Sequence, residues 1–293
     1  MANAPKPATV KNESSSASNL FATLVIPICI LIGVSLFIFV LGKPSNFIID
    51  EAIASTNSKV SLVFFNDDTT HILPKVGNYG GMAFKGGFIV PILMGMLLMV
   101  LVFSIERLIV IGKATGKGSL DAFIKKVQAL LSAGNIQAAV AECDKQEGSV
   151  ANVIKSGLKK YSEVEADTRL DVEQSVVAIQ KDIEEATSLE MPMLEQNLTV
   201  IATLVSVGTL TGLLGTVTGM IKAFGGLANS GAPDQAALAT GISEALINTA
   251  TGISTSTVAI IMYNILTSKI DKLTYAIDEA GFSIIQTYAS THK

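Results

Sequence analysis

The chain has 293 residues; 49% are hydrophobic, only 16% are charged, and the formal net charge is −4. Apolar residues gathered into long blocks at that share exclude an ordinary soluble domain and indicate an integral membrane protein. The small net charge, with no basic patch, excludes a nucleic-acid binder. Cys29 and Cys143 fall in a predicted span and a predicted cytoplasmic helix, which leaves no disulfide and no metal site to expect of them.

Residues 1–19 are polar and Ser-rich, with Lys6 and Lys11 as their only bases, and are expected to form a disordered cytoplasmic tail. Leu20–Leu41 is a continuous apolar run of span length. Its bases are remote, so region 20–42 reads as a retained N-terminal anchor rather than a signal peptide, with Pro27 tolerable near its start. Residues 43–85 read as a polar loop region with a short alternating piece at Val60–Phe65. His71 in this loop is given no role. The second span covers 86–112, with Pro91 near its start and Glu106-Arg107 at its far end, where the pair reads as an interfacial anchor.

Residues 113–196 change character. Leu120–Leu131, Ile136–Cys143, Val150–Val164 and Thr168–Leu189 carry apolar residues at three- and four-residue spacing, which predicts a helical domain outside the membrane. Gly134-Asn135 and Gly148-Ser149 break the run, Asp167 resembles a helix start, and Pro192 is expected to kink or restart the helix. Residues 197–268 then form an αα-hairpin of Leu198–Phe224 and Ala236–Thr267, linked by a Gly/Pro/Asn-rich turn at 225–235. A final amphipathic helix, 269–293, presents Ile270, Leu273, Ile277, Phe282 and Ile285 as its apolar members, the first of them just inside the boundary of this domain.

Bases set the topology. Lys113, Lys117, Lys125 and Lys126 follow a span closely, and the 225–235 turn has none. The positive-inside rule therefore puts 113–196 and the C-terminus in the cytoplasm and the 225–235 turn outside it, and four spans then put the N-terminus inside and 43–85 outside.

The hairpin carries the candidate chemistry. Leu198–Phe224 holds no charge before Lys222, yet Gly208, Gly212, Gly215 and Gly219 sit among threonines. Small residues let helices approach closely, and hydroxyls bond across helices or line a wet path. Thr209, Gly212 and Thr216 share one face, and Thr249, Gly252 and Ser256 share a face of the next helix. Glu244, Asn248, Thr251 and Thr255 share another. Glu244 is a carboxylate several residues inside a predicted span, where insertion costs about 2.5–3.5 kcal/mol at mid-membrane and less near an interface. It therefore serves an ion path, pairs with Lys222 at a similar depth across the hairpin, or does both. Thr216 and Thr249 read as pore lining, with small-residue packing as the alternative.

At GLLGTVTGMIKAF, followed by GISEALINTATG and MYN, the chain resembles the MotA/TolQ/ExbB proton-channel family, on its ExbB and TolQ side and nearest to ExbB, over roughly 86–268. The resemblance implies an all-α inner-membrane protein with long cytoplasmic helical extensions, assembled as a homo-pentameric ring around a central lumen; the span 20–41 and the loop 43–85 are additions to the family's pattern and bring the predicted transmembrane helices to four. It places Glu244 on the family's transmembrane glutamate, and Thr216 and Thr249 on its lumen threonines. Thr209 and Ser256 extend the same path, Gly212, Gly215, Gly219 and Gly252 serve helix packing, and Lys222 is a possible ion-pair partner. It also implies a single-span partner of the ExbD or TolR kind with a membrane Asp, and coupling of proton flow to TonB, or to TolA. No cofactor and no covalent change of a substrate are implied, so an enzyme is not expected. Gly208-Thr209 stands where the family commonly has Ala-Pro, and Val258 where it commonly has a proline; both bear on kink and pore polarity. A TolQ-like subunit, a stator for gliding or secretion, and a non-conducting scaffold with a buried Lys222–Glu244 pair are the alternatives.

Overall fold

The structure, a computed structural model, describes residues 13–48, 73–75, 77–167, 169–229 and 235–292. Most of the expected tail (1–12), the alternating piece at Val60–Phe65, His71 and the centre of the hairpin turn (230–234) lie outside the described residues. The described chain is helical apart from short turns and one two-stranded pairing. Four of its helices contain stretches long and apolar enough to cross a membrane: Thr23–Leu41, Ile89–Ala114, and parts of Val172–Gly225 and Leu238–Thr291. This agrees with an all-α membrane chain of four spans. The contacts divide it into two units, 1–101 with 203–259, and 102–202 with 260–293.

In the first unit, helix α1 (Glu13–Leu36) starts upstream of the expected Leu20, so the later part of the expected tail is helical. It runs into a π-helical turn, Phe37–Leu41, closed by the Gly42 N–H on the Phe37 carbonyl at 2.9 Å. Strand β1 (Phe47–Ile48) pairs antiparallel with β2 (Leu73–Pro74). Helix α2 (Tyr79–Phe84) is capped by the Asn78 side chain, which accepts from the Gly81 N–H at 3.1 Å. Phe84 stacks on Phe37 at 4.7 Å and meets Phe47 edge-on at 5.6 Å, so the end of the first span and the approach to the second share one aromatic core. Helix α3 (Ile89–Ala114) follows. Gly33 of α1 faces Gly95 of α3: a Cβ on Gly33 would stand 2.7 Å from the Gly95 nitrogen, so the two backbones touch where neither residue has a side chain.

The second unit contains the end of α3 and helices α4 (Leu120–Ser132), α5 (Ile136–Gln146), α6 (Gly148–Ala166) and α7 (Val172–Glu195). Helix α4 buries Phe123, Ile124, Val127 and Leu131, a stripe at helical spacing. The Asn135 side chain caps α5 by accepting from the Ala138 N–H at 3.1 Å. Gly148 (φ +85) turns the chain into α6, where a Cβ would come 2.5 Å from the Ala114 carbonyl oxygen. Gly157 lets α6 lie against Ile183 of α7.

Four boundaries differ from expectation. Asp171, not Asp167, starts α7, through a capping box with Gln174. The Asp167 carboxylate is instead taken up by the backbone N–H and guanidinium of Arg169, whose hydrogen bonds hold its pKa down at about 2. Pro192 lies within the last turn of α7, and the break comes at Asn197, in the left-handed region (φ +63). Helix α8 (Leu198–Asn229) continues past the expected end at Phe224. Helix α9 (Gln235–Thr291) is one uninterrupted helix of 57 residues with no break near 268, because nothing in TSKIDK stops a helix. At about 1.5 Å per residue it is far longer than a bilayer core of about 30 Å. Its lower stripe is Ile270, Leu273, Ile277, Ile284 and Tyr288, all buried; Phe282 falls on the opposite side of the helix and is exposed.

Candidate functional site

Helices α8 and α9 meet along a seam of small residues. A Cβ on Gly212 would lie 3.0 Å from the Gly252 Cα, one on Gly219 would lie 2.8 Å from the Gly241 carbonyl oxygen, and one on Gly215 would lie 2.3 Å from the Asn248 Cβ. Two antiparallel helices at this separation bring their flanking side chains into hydrogen-bonding reach.

Three polar rungs cross that seam. The Thr209 hydroxyl donates to Ser256 Oγ at 2.8 Å. Thr216 and Thr249 bond hydroxyl to hydroxyl, and Thr249 also donates to the Ala245 carbonyl at 3.1 Å. Lys222 Nζ donates to Glu244 Oε1 at 2.6 Å. The two faces identified by seven-residue spacing are therefore turned toward each other within one chain. Thr209 is exposed, Thr216 and Thr249 are half-buried, and Ser256 is buried. Both readings of the hydroxyls are thus present in the geometry: they join the helices, and three of the four keep surface outside the seam.

The ion pair is asymmetric. The Glu244 side chain is 9% exposed and that of Lys222 59%. A carboxylate so buried needs a cation or donors, and Lys222 supplies one of them. Against the carboxylate lies Gly87 (φ +72), where a Cβ would come 2.3 Å from Glu244 Oε1. Asn248, one turn further along α9 and fully buried, donates from Nδ2 to the Gly86 carbonyl at 2.9 Å. Its Oδ1 is buried without a partner. Sequence spacing put Asn248 on the Glu244 face, but its partner could not be read, because it comes from a glycine 162 positions away.

Glu106 and Arg107, expected as an interfacial anchor, belong to the second unit. Arg107 is 2% exposed. Its guanidinium forks onto both oxygens of Glu106 (Nε to Oε2 at 2.6 Å), and Nη1 donates to the Met193 carbonyl at 3.0 Å. Helix α7 ends at Glu195, so that carbonyl has no partner further along the helix; the arginine caps it and opposes the negative end of the helix dipole. Among the described residues, no group of three or more His, Cys, Asp or Glu could hold a metal ion.

Comparison with known proteins converges on one family. Residues 145–279 match the model of the MotA/TolQ/ExbB proton channel family. This range begins later and ends further along than the 86–268 that carries the resemblance in sequence. The chain is 29% identical over 157 residues to the Tol-Pal system protein TolQ of Pseudomonas aeruginosa, covering 54% of this chain and 68% of that protein. It is 33% identical over 88 residues to the putative biopolymer transport protein ExbB-like 3 of Synechocystis, covering 29% of this chain and 42% of that one. It is 26% identical over 145 residues to the biopolymer transport protein ExbB of Pseudomonas putida, covering 50% and 44%. The last two matches span less than half the relative's length. Both Lys222–Glu244 and the paired threonines lie inside 145–279, the segment in which the chain is similar to the MotA/TolQ/ExbB proton channel family.

Proposed function

We propose that the chain is the proton-conducting motor subunit of an inner-membrane complex and converts the proton gradient into mechanical work. The observation that carries this reading is the set of polar rungs Thr209–Ser256, Thr216–Thr249 and Lys222–Glu244 on two helices that are otherwise apolar enough to cross a membrane. Lipid alone gives no reason for hydroxyls and a carboxylate at that depth. Each elementary charge that crosses delivers about 2.3 kcal/mol per 100 mV.

In this reading five copies form a ring. The half-exposed sides of Thr216 and Thr249 face its lumen, and a single-span partner of the ExbD or TolR kind places a membrane Asp beside them. Glu244 and Lys222 set the field at the outer mouth. Regions 113–196 and 269–293 and both termini are cytoplasmic, and 43–85 faces the periplasm. Energy passes to a TonB-like protein for transport across the outer membrane. A second reading, with TolA in that place and envelope integrity as the outcome, is favoured by the 157-residue match to a protein named for the Tol-Pal system.

The test is proton flux into vesicles holding the chain with its single-span partner, under an imposed gradient. Thr216→Val with Thr249→Val should abolish the flux while the protein still inserts and assembles. Unchanged flux in the double variant, or none in the parent complex, would point to a non-conducting scaffold.

A further inference from the structure

The geometry points to Asn248 as a positioning residue: by bonding the Gly86–Gly87 turn to α9, it holds that turn over Glu244 and keeps the carboxylate on Lys222. The bond from Nδ2 to the Gly86 carbonyl is 2.9 Å and buried. Its direction is set by the acceptor, since a carbonyl can only accept, and this leaves Oδ1 unpartnered. A buried amide left half satisfied costs stability that an apolar side chain of the same size would not, so filling space does not explain an asparagine here.

Three glycines are shaped around the arrangement. Gly215 leaves room for Asn248 on the α8 side, where a Cβ would come within 2.3 Å of the asparagine Cβ. Gly86 packs so that a Cβ would come 2.3 Å from Val90 Cγ2 and 2.8 Å from Ile247 Cγ2. Gly87, in the left-handed region, lies directly on the carboxylate, where any side chain would displace either the turn or Glu244. Asn248 and Glu244 are four residues apart on one helix, so the turn that one residue bonds is the turn that covers the other. Turn and asparagine together make a cover that the Asn248–Gly86 hydrogen bond ties to α9.

The consequence for the proposed channel, on whose reading the role in conduction rests, is that Asn248 governs how readily Glu244 leaves Lys222. The test measures the carboxylate directly. The full chain in phospholipid vesicles is treated with dicyclohexylcarbodiimide, an apolar reagent that modifies membrane carboxyl groups free of an ion pair, and labelling of the Glu244 peptide is followed by mass spectrometry. Asn248→Leu keeps the volume and removes the donor; it should raise the labelling rate about three- to tenfold, as expected for one hydrogen bond's shift of an equilibrium. Gly87→Ala leaves the asparagine intact and lifts the cover; it should raise labelling similarly. A purely space-filling asparagine would give parental labelling in Asn248→Leu, and that result overturns the inference, as does unchanged labelling in Gly87→Ala. Labelling does not require conduction. Faster labelling with no proton flux in the parent would remove the channel reading and leave this one standing.

Discussion

Arg107 Nη1 donates to the carbonyl oxygen of Met193 at 3.0 Å, across 86 positions of sequence, while the rest of its guanidinium is held by the adjacent Glu106. A buried arginine thus closes the end of α7 just before the chain breaks at Asn197. Arg107→Met should cost about 3 kcal/mol or more, because it strands the Glu106 carboxylate and uncaps the helix. The check is the midpoint of heat-induced helix loss in detergent. The double variant Glu106→Gln, Arg107→Met should recover part of the loss, since the stranded charge is then gone.

Lys222 and Glu244 should show coupling when each is replaced singly and together. Lys222→Met leaves a buried carboxylate alone and should cost about 1–3 kcal/mol. Glu244→Gln should cost less, because the Lys222 side chain is 59% exposed and can turn to solvent or headgroups. Strict additivity of the two changes in denaturant unfolding would count against the pair.

Where α1 crosses α3 there is no space for a side chain. A Cβ on Gly95 would meet the Ile30 Cα at 2.9 Å. Gly95→Leu should therefore destabilise the first unit by about 1–3 kcal/mol through overpacking, and Gly95→Ala by less. Chemical unfolding in detergent, read for each variant beside the parent, ranks them.

Cys143 is 2% exposed, and burial, helped by the neighbouring Asp144 and opposed by Lys155, pushes its thiol up to about 12 from 9.0. Iodoacetamide at pH 8 should therefore leave the Cys143 peptide unmodified in the folded protein and alkylate it in denaturant. The sign of the pH effect follows. The raised value favours the neutral thiol in the folded state, so this stabilisation is complete below about pH 9 and is lost as pH rises toward 12. Cys143→Ser should flatten stability across that alkaline window.

What the sequence alone conveyed depended on how local each signal was. Apolar blocks marked the four spans because burying a helix in lipid demands an unbroken run. The seven-residue spacing of Thr209 and Thr216, and of Thr249 and Ser256, identified the two faces that meet, since a short hairpin must pack antiparallel. Partners drawn from remote segments left no such trace: nothing near Asn248 points to Gly86, and nothing near Arg107 points to Met193. Helix ends were ambiguous for another reason. Asp167 and Asp171 both suit a cap, and the Arg169 fork at the first, with the Gln174 capping box at the second, decides for the second. The join at 268 was misplaced because a change from apolar to charged composition looks like a boundary, although backbone hydrogen bonding runs straight through it.

The unbroken course of α9 has a consequence for tolerance to change. Glu244 and Ser256 ride on the same rod, and each residue added between them turns one relative to the other by about 100°. A single alanine inserted between them would swing the acid away from Lys222 or the serine away from Thr209.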